Sequence, residues 1–211
     1  MKLNSKKTKV QPFNFSRKYD FLPQMLVQNE PLEVVYSTRL LGVIFSSTCK
    51  WDDHGHFLVE KARHKVWTIR RLKSQGASTQ TVVELYKLFI RQGLEFAAPL
   101  WTFALSKRNK EQLEKIQSQI TNLILGHNNL SYFERLRELK LESLDQRRTN
   151  LTESFSDQMI KDERFEYLFP RKAYSSTRSK EKFVAPFCRT NRFKYSAIPK
   201  FIEYQTQEYK F

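Results

Sequence analysis

The chain is poor in cysteine, glycine and acid, and it has no long apolar run. Its two cysteines, Cys49 and Cys188, cannot build a disulfide framework. That excludes the small stapled secreted classes and points to a reducing compartment. Five glycines against 17 Phe, 9 Tyr and 3 Trp exclude a disordered or low-complexity chain and predict a packed, largely helical body. The longest nearly uncharged stretch, Gly93 to Leu105, carries Glu95. It falls short of the roughly 20 residues a membrane helix requires. Met1 to Lys7 hold no apolar segment, so no secretory signal is expected. The expectation is a soluble intracellular chain, nuclear or cytoplasmic, with no membrane partner.

Acids are the scarcest group relative to their counterpart. The 22 Asp and Glu face 37 Lys and Arg, leaving a net charge of +15. A chain with a pI near 9.8 favours a polyanionic partner, nucleic acid ahead of anionic membrane.

Fold class follows from periodicity. Residues 1–48 alternate short strand candidates with turns: Thr8 to Phe15, broken by Pro12, then Leu32 to Tyr36, then Leu40 to Phe45. The last reads as one buried strand in which another backbone, or a ligand's, comes close to Gly42. So little sheet with no covering helix is marginal alone, so this segment is expected to be the end of a domain whose beginning lies upstream. From Trp51 onward the pattern is helical. A first helix, about Gly55 to Lys73, has Leu58, Ala62, Val66, Ile69 and Leu72 on one face, and Gly76 breaks it. Asp52 and Asp53 precede it and complement the helix dipole.

Ser78 caps a second helix, Thr79 to Gln92, with Val82, Leu85, Tyr86 and Phe89 inward and Gly93 as its stop. Gly93 to Leu105 is predicted as a buried helix with Pro99 at a start or kink. Ser106 caps a long helix to Leu125 with the stripe Leu113, Ile116, Ile120 and Leu123, ended by Gly126. Ser131 and Glu134 form a capping box. A last helix runs from about Leu144 to Lys161, with Leu144, Arg148, Leu151, Phe155 and Met159 on one side. The fold class is α+β, mostly α, in three regions: 1–48, 49–165 and a basic aromatic extension, 166–211.

Two stretches have the composition of a nucleic-acid surface. The first helix carries Lys61, Arg63, Arg70, Arg71 and Lys73, with no acid from Lys61 to Lys73. Such a face can lie along phosphates; the plain alternative is a solvated polar side. Between Arg171 and Lys200 nine Lys or Arg face one acid, Glu181, among Tyr174, Phe183, Phe187, Phe193 and Tyr195. Rings between bases suit single strands, and they equally suit an arm that packs its rings on the helical body. Pro186 and Pro199 argue against a long helix there. Cys49, His54, His56 and His64 match no standard zinc spacing, and His54 beside Trp51 reads as a packing histidine. No metal site and no catalytic residue is assigned.

In order along the chain, several segments resemble the C-terminal part of the reverse transcriptase of non-LTR (LINE-type) retrotransposons. Leu3-Asn4-Ser5-Lys6-Lys7-Thr8-Lys9 resembles the Lys-Thr segment just past the catalytic aspartates. Leu40-Leu41-Gly42-Val43 is similar to the family's Leu-Gly strand, and Trp51 with His54 to its Trp-x-x-His helix start. Arg71-Leu72-Lys73, Leu85-Tyr86, Leu94-Glu95-Phe96 with Pro99 and Trp101, Leu113 to Gln117 and Ile124-Leu125-Gly126 continue the pattern. Leu141 to Leu144 with Arg147-Arg148 follow, then Arg189-Thr190, Arg192-Phe193-Lys194 and Ser196 to Pro199.

The resemblance implies a palm remnant in 1–48, a helical thumb and connection in 49–165, and a C-terminal extension. It implies that Lys7 lies near the incoming nucleotide and that Leu41 and Gly42 face the primer end. Arg189, Arg192 and Lys194, with the basic helix, would hold template–primer RNA and DNA. The parent polymerase would use Mg2+ on palm aspartates, including a Phe/Tyr-Ala-Asp-Asp box. No such box occurs in these 211 residues, so the chain alone needs no cofactor and is expected not to polymerise. Its partners would be nucleic acid and the upstream palm and fingers of the same polymerase. A stand-alone basic RNA- or DNA-binding protein co-opted from the element, or a functionless relic, remain open alternatives.

Overall fold

The structure is a computed structural model that describes residues 4–15, 24–126, 129–171 and 183–207. It is α+β and mostly helical. The chain divides into two compact units, Met1–His54 and Gly55–Phe211.

The first unit pairs its strands two by two. Strand β1 (Lys9–Val10) runs parallel to β4 (Glu33–Val34), and β2 (Leu26–Val27) is antiparallel to β3 (Glu30–Pro31). The third pair is β5 (Ser37–Leu40) with β6 (Val43–Ser46), also antiparallel. The strands expected over Thr8–Phe15 and Leu32–Tyr36 are thus only two residues each. The single strand expected from Leu40 to Phe45 is corrected more sharply, because it is the bend of a hairpin. Leu40 pairs with Val43, which leaves Leu41 and Gly42 as a two-residue loop at φ +49° and +88°. Two positive φ values make the turn whose twist matches that of the flanking strands. Gly42 enters that region freely. Leu41 does so at a cost of about 1–2 kcal/mol, and its side chain is 87% exposed at the tip. Among described residues 4–50 only Val43 is buried.

Helix α1 (Asp52–Ser74) has Asp52 and Asp53 in its first turn. It buries Leu58, Ala62 and Ile69, with Val66 and Leu72 half-buried. The expected stop at Gly76 is a Schellman turn, in which the Gly76 amide donates to Lys73 O and the Ala77 amide to Leu72 O, each at 3.1 Å. Gly55 allows close approach to a neighbouring helix: a Cβ there would stand 2.8 Å from Leu105 Cδ1 and 2.9 Å from Asn109 Cγ.

Ser78 caps α2 (Thr79–Leu85) through its side chain, which accepts from the Thr81 amide. The helix then widens into a π turn, Tyr86–Arg91, and continues as α3 (Gln92–Glu95). Gly93 lies inside it rather than ending it. The extra residue in the wide turn shifts the buried face, so that Tyr86, Ile90 and Leu94 point inward and Phe89 is 62% exposed. The continuous helix expected from Gly93 to Leu105 breaks at Phe96–Ala97, where Ala97 has φ +53°. A short α4 (Ala98–Trp101) follows, and Trp101 Nε1 donates back to Phe96 O at 3.0 Å.

Helix α5 (Lys107–Leu125) starts at the Ser106 cap and ends at Gly126, φ +72°. It buries Leu113, Ile116, Ile120 and Ile124, so Ile124 takes the inward place expected for Leu123. Helix α6 (Tyr132–Glu138) carries the complete capping box of Ser131 and Glu134. Helix α7 (Leu144–Lys161) has the expected limits and a rotated face: Leu144, Arg148, Thr152 and Ser156 are buried, while Leu151 and Phe155 are about two-fifths exposed. Arg148 lies with its guanidinium 5.9 Å from the centre of the Trp101 ring, and its Nη2 is 3.5 Å from Asp145 Oδ1.

After a 3-10 segment, Glu163–Leu168, come α8 (Asn191–Lys194) and α9 (Ala197–Gln207). Among the described residues between Arg171 and Lys200 the helices are α8 and the start of α9, and Pro199 sits in the first turn of α9, where its missing N–H costs nothing. Phe201 and Ile202 of α9 share a core with Phe169 and Phe183, flanked by Met159 and Phe103. Phe183 therefore packs on the body, as in the arm reading of the extension, whereas Phe187 is 84% exposed. Lys172, Tyr174, Arg178, Lys180, Glu181 and Lys182 lie outside the described residues.

One polar network ties these helices together. Tyr86 Oη donates to Gln117 Oε1, and Gln117 Nε2 donates to Tyr132 Oη at 3.0 Å and to Glu142 O at 2.8 Å. Tyr132 Oη donates in turn to Glu114 Oε1, which also accepts the Leu144 amide at 3.2 Å. Burial, then the Glu114 hydrogen bond, raises the Tyr132 phenol well above its ordinary range. On the same side of the unit Arg147 grips Glu95 with two bonds, Nε to Oε1 at 2.5 Å and Nη2 to Oε2 at 3.0 Å. That pair joins α7 to α3.

Two predictions follow from these contacts. Replacing Leu41 by Asn, which enters positive φ readily, should stabilise the hairpin by roughly 1 kcal/mol. Its cross-strand amides should then exchange more slowly, and unchanged or faster exchange would refute the strained-turn assignment. Gln117→Leu should cost roughly 3 kcal/mol in urea unfolding, because it strands the buried Tyr86 hydroxyl and removes the partner of the part-buried Glu142 O. Gln119→Leu, on the exposed side of the same helix, should stay within about 0.5 kcal/mol. Equal losses would mean that the network contributes nothing beyond packing.

Candidate nucleic-acid interface

Each basic candidate has a distinct setting. Lys7 is exposed in a 3-10 turn, Ser5–Lys7, capped by Asn4. Its neighbour Lys9 is held by Glu33 at 3.0 Å. Leu41 and Gly42 form the tip of the β5–β6 hairpin, so both are at a loop and neither is in a strand. Among its described residues the first unit thus exposes Lys6, Lys7 and Lys50 as well as the paired Lys9, and an apolar hairpin tip at Leu41.

On α1 the charges separate. Arg63, Arg70 and Arg71 are exposed, and the first is partly neutralised by Glu60 at 2.6 Å. Arg71 stacks on Trp67, with its guanidinium 5.3 Å from the ring centre. Among the described residues Arg70 has no hydrogen-bond or ion-pair partner. Lys61 leans on Phe57, with Nζ 5.8 Å from the ring centre. Lys73 is half-buried. Both lysines are six residues from Trp67, so each is turned about 120° away from it round the helix. The three arginines therefore share one face and the two lysines flank it. The periodic reading counted charge and passed over Trp67, which is 59% exposed in their midst. An exposed Trp on an otherwise basic helix face was the sequence signal available.

Beside this face lies an apolar cleft of about 380 Å³ between α1, through Ile69 and Leu72, and the π turn, through Phe89 and Ile90. Lys65 bridges it by donating Nζ to Phe89 O. Phe89 on the π turn forms part of the cleft's wall.

In the extension Thr190 caps α8 by accepting from the Phe193 amide, and Arg189, Arg192 and Lys194 are exposed around it. Lys194 and Lys200 both approach the Tyr195 ring, at 6.0 and 5.2 Å from its centre. The short helix carries Arg192 and Lys194, and Arg189 directly precedes its cap.

The histidine cluster has a different chemistry from a metal site. His54 is buried, its Nδ1 accepts the Ile44 amide at 3.3 Å, and Trp51 meets it edge-on at 6.2 Å. Burial, with a smaller contribution from Arg39, lowers its pKa from the ordinary 6.5 to about 4. Cys49 is exposed and free. Among the described residues no three His, Cys, Asp or Glu stand close enough to hold a metal ion. Among them also no helix is long and apolar enough to cross a membrane. Comparison with protein-family models, curated proteins and solved structures finds no match.

The His54 environment predicts a pH dependence. A neutral buried imidazole favours the folded state above its unfolded pKa, and the unfolded chain takes up its proton first as pH falls. Stability should therefore drop between about pH 6.5 and pH 4, beyond what carboxylates contribute. His54→Asn keeps an acceptor for the Ile44 amide and cannot titrate. The difference in unfolding free energy between variant and wild type should change over that window; a constant difference would show that His54 does not titrate as described.

Proposed function

We propose that the chain is the C-terminal part of a non-LTR retrotransposon reverse transcriptase, binding template–primer RNA and DNA and carrying no polymerase chemistry of its own. The observation that carries the reading is the α1 face, where Arg63, Arg70 and Arg71 stand together in solvent on a chain of net charge +15. Grouped guanidinium groups hold phosphates by charge and by paired hydrogen bonds. The ordered family-like segments supply the identity of the polymerase; the charge supplies the activity.

Within this reading Lys7 contacts a phosphate, and the exposed tip at Leu41 and Gly42 meets the end of a primer strand. A short apolar tip at positive φ is unfavourable for the free chain and is explained by a contact made in a complex. Arg189, Arg192 and Lys194 would hold the backbone further along. No catalytic residue is assigned, because the Asp-Asp box that would bind Mg2+ is absent from these 211 residues. Its upstream palm and fingers would be the natural partner, in the nucleus or cytoplasm where such an element copies itself. One observation favours a second reading, a co-opted stand-alone binder. The described residues of 55–211 close their own core, with caps at Ser78, Ser106, Ser131 and Ser143 and the Gln117 amide bonded to Tyr86, Tyr132 and Glu142 O.

The test is salt-dependent binding to RNA–DNA heteroduplex by the full chain. Arg63, Arg70 and Arg71 changed together to Ala should weaken binding to every sequence alike. They should also flatten the slope of log affinity against log salt by up to about one unit per lost phosphate contact. Lys107→Ala, a highly exposed lysine that reaches only Glu111, serves as control and should leave the slope unchanged. An unaltered slope in the triple variant would move the interface off α1, and absence of binding by the wild type would end the reading.

A further inference from the structure

We infer that Trp67 is a base-stacking platform for single-stranded nucleic acid, framed by the cations that hold the flanking phosphates. The inference rests on the nucleic-acid reading and adds a specificity that charge alone does not give: unpaired bases over duplex.

The geometry is that of one helix surface. The nearest neighbours of a helical residue are those three and four positions away in each direction. For Trp67 these are Arg63, His64, Arg70 and Arg71, and all four are exposed. The indole is therefore ringed by nitrogen donors on every side, and no acid lies among those neighbours. Glu60 lies two turns back and is occupied by Arg63 at 2.6 Å, which leaves Arg70 and Arg71 as the stronger phosphate contacts. Arg71 also covers the ring at 5.3 Å, so the indole is held in place by a cation rather than by the core.

An aromatic ring that is 59% exposed at this position contributes little to packing. The other two tryptophans show the contrast: Trp101 is fully buried and hydrogen-bonded to Phe96 O, and Trp51 is half-buried against Phe45, with ring centres 5.5 Å apart. Trp67 alone of the three is more than half exposed. A flat, apolar, cation-anchored ring takes a partner with a free π face and an adjacent negative charge. A nucleotide in a single strand has both. In a duplex each base face is covered by its neighbours, so a ring on a convex helix cannot reach it without unstacking. The arginines at i+3 and i+4 lie about 5 Å along the axis from Trp67 and Arg63 about 6 Å the other way, so a strand crossing the helix meets cations before and after the stacked base.

The experiment uses the full chain and three labelled probes of equal length, about a dozen nucleotides. They are oligothymidylate, the same backbone with abasic sites, and a blunt duplex. Wild type should bind oligothymidylate about tenfold more tightly than the abasic strand. Trp67→Ala should bring oligothymidylate down to the abasic level and leave the abasic strand and the duplex unchanged. Trp67→Phe, which keeps a ring, should retain most of the preference and guards against a loss caused by misfolding. The Arg63, Arg70 and Arg71 triple variant should weaken all three probes together. Equal wild-type affinity for base-bearing and abasic strands overturns the stacking role while leaving the phosphate interface intact. So does a Trp67→Ala preference equal to that of wild type, or an equal loss on all probes. No binding to any probe overturns the underlying nucleic-acid reading as well.

Discussion

Gln117 is the side chain on which the arrangement of the π turn, α5, α6 and the start of α7 depends. Its amide has three hydrogen-bonding demands met in the interior, by the Tyr86 hydroxyl, the Tyr132 hydroxyl and Glu142 O. Each partner comes from a different element: the π turn, α6, and the loop before α7. An apolar core tolerates sliding of one helix past another by a fraction of a turn, since dispersion has no direction. A buried amide does not, because any shift leaves a donor or acceptor unpaired at a cost of about 1–3 kcal/mol. The network therefore fixes how far each helix is rotated and shifted along its axis. The paired bonds of Arg147 to Glu95 repeat the constraint one layer away.

That constraint accounts for the π turn. Tyr86 must reach Gln117, and Ile90 and Leu94 must still face the core beyond it. At 3.6 residues per turn a continuous helix would put Ile90 and Gly93 nearest the Tyr86 line and turn Leu94 about 80° away from it. Six residues wound more widely, Tyr86–Arg91, carry the buried positions four apart twice over and deliver Phe89 to the surface. The same turn supplies Phe89 to the wall of the cleft beside α1.

What could be read from the sequence follows the same division. End signals are local chemistry, so Ser78, Ser106 and Ser131 cap where expected, and Gly76 and Gly126 stop helices at positive φ. Faces were legible only where apolar spacing was regular, as in α1 and most of α5. In α7 the inward positions are Arg148, Thr152 and Ser156, polar residues whose burial no hydrophobic pattern announces; Thr152 is satisfied within its own helix by Arg148 O at 2.7 Å. The apolar Leu151 and Phe155 beside them misdirected the reading by one position. At Leu40 to Phe45 the apolar run was unbroken, and nothing in residue type distinguishes a buried strand from a hairpin whose turn contains a leucine. The Gly42 signal was real, and it marked a positive φ in a hairpin turn.

The basic interface was legible for a related reason and incomplete for another. Charge totals locate a polyanion-binding surface only if the bases are not consumed internally, and several here are. Arg147 and Arg148 serve α3 and the Trp101 ring, and Arg135 donates to Leu130 O, Ser118 and Thr121. Those three residues are indistinguishable by type from Arg63, Arg70 and Arg71. What separates them is the helix face: the arginines of α7 and α6 lie where partners from α3, α4 and α5 converge, and those of α1 lie opposite Leu58, Ala62 and Ile69. A helix that buries one stripe must present the opposite one, so the residues across from the apolar stripe are the ones left for a ligand. On α1 that opposite stripe holds three arginines, His56, His64 and Trp67, with Glu60 paired to Arg63. Its composition is therefore evidence about what it meets, and the core of the same helix says which residues belong to it.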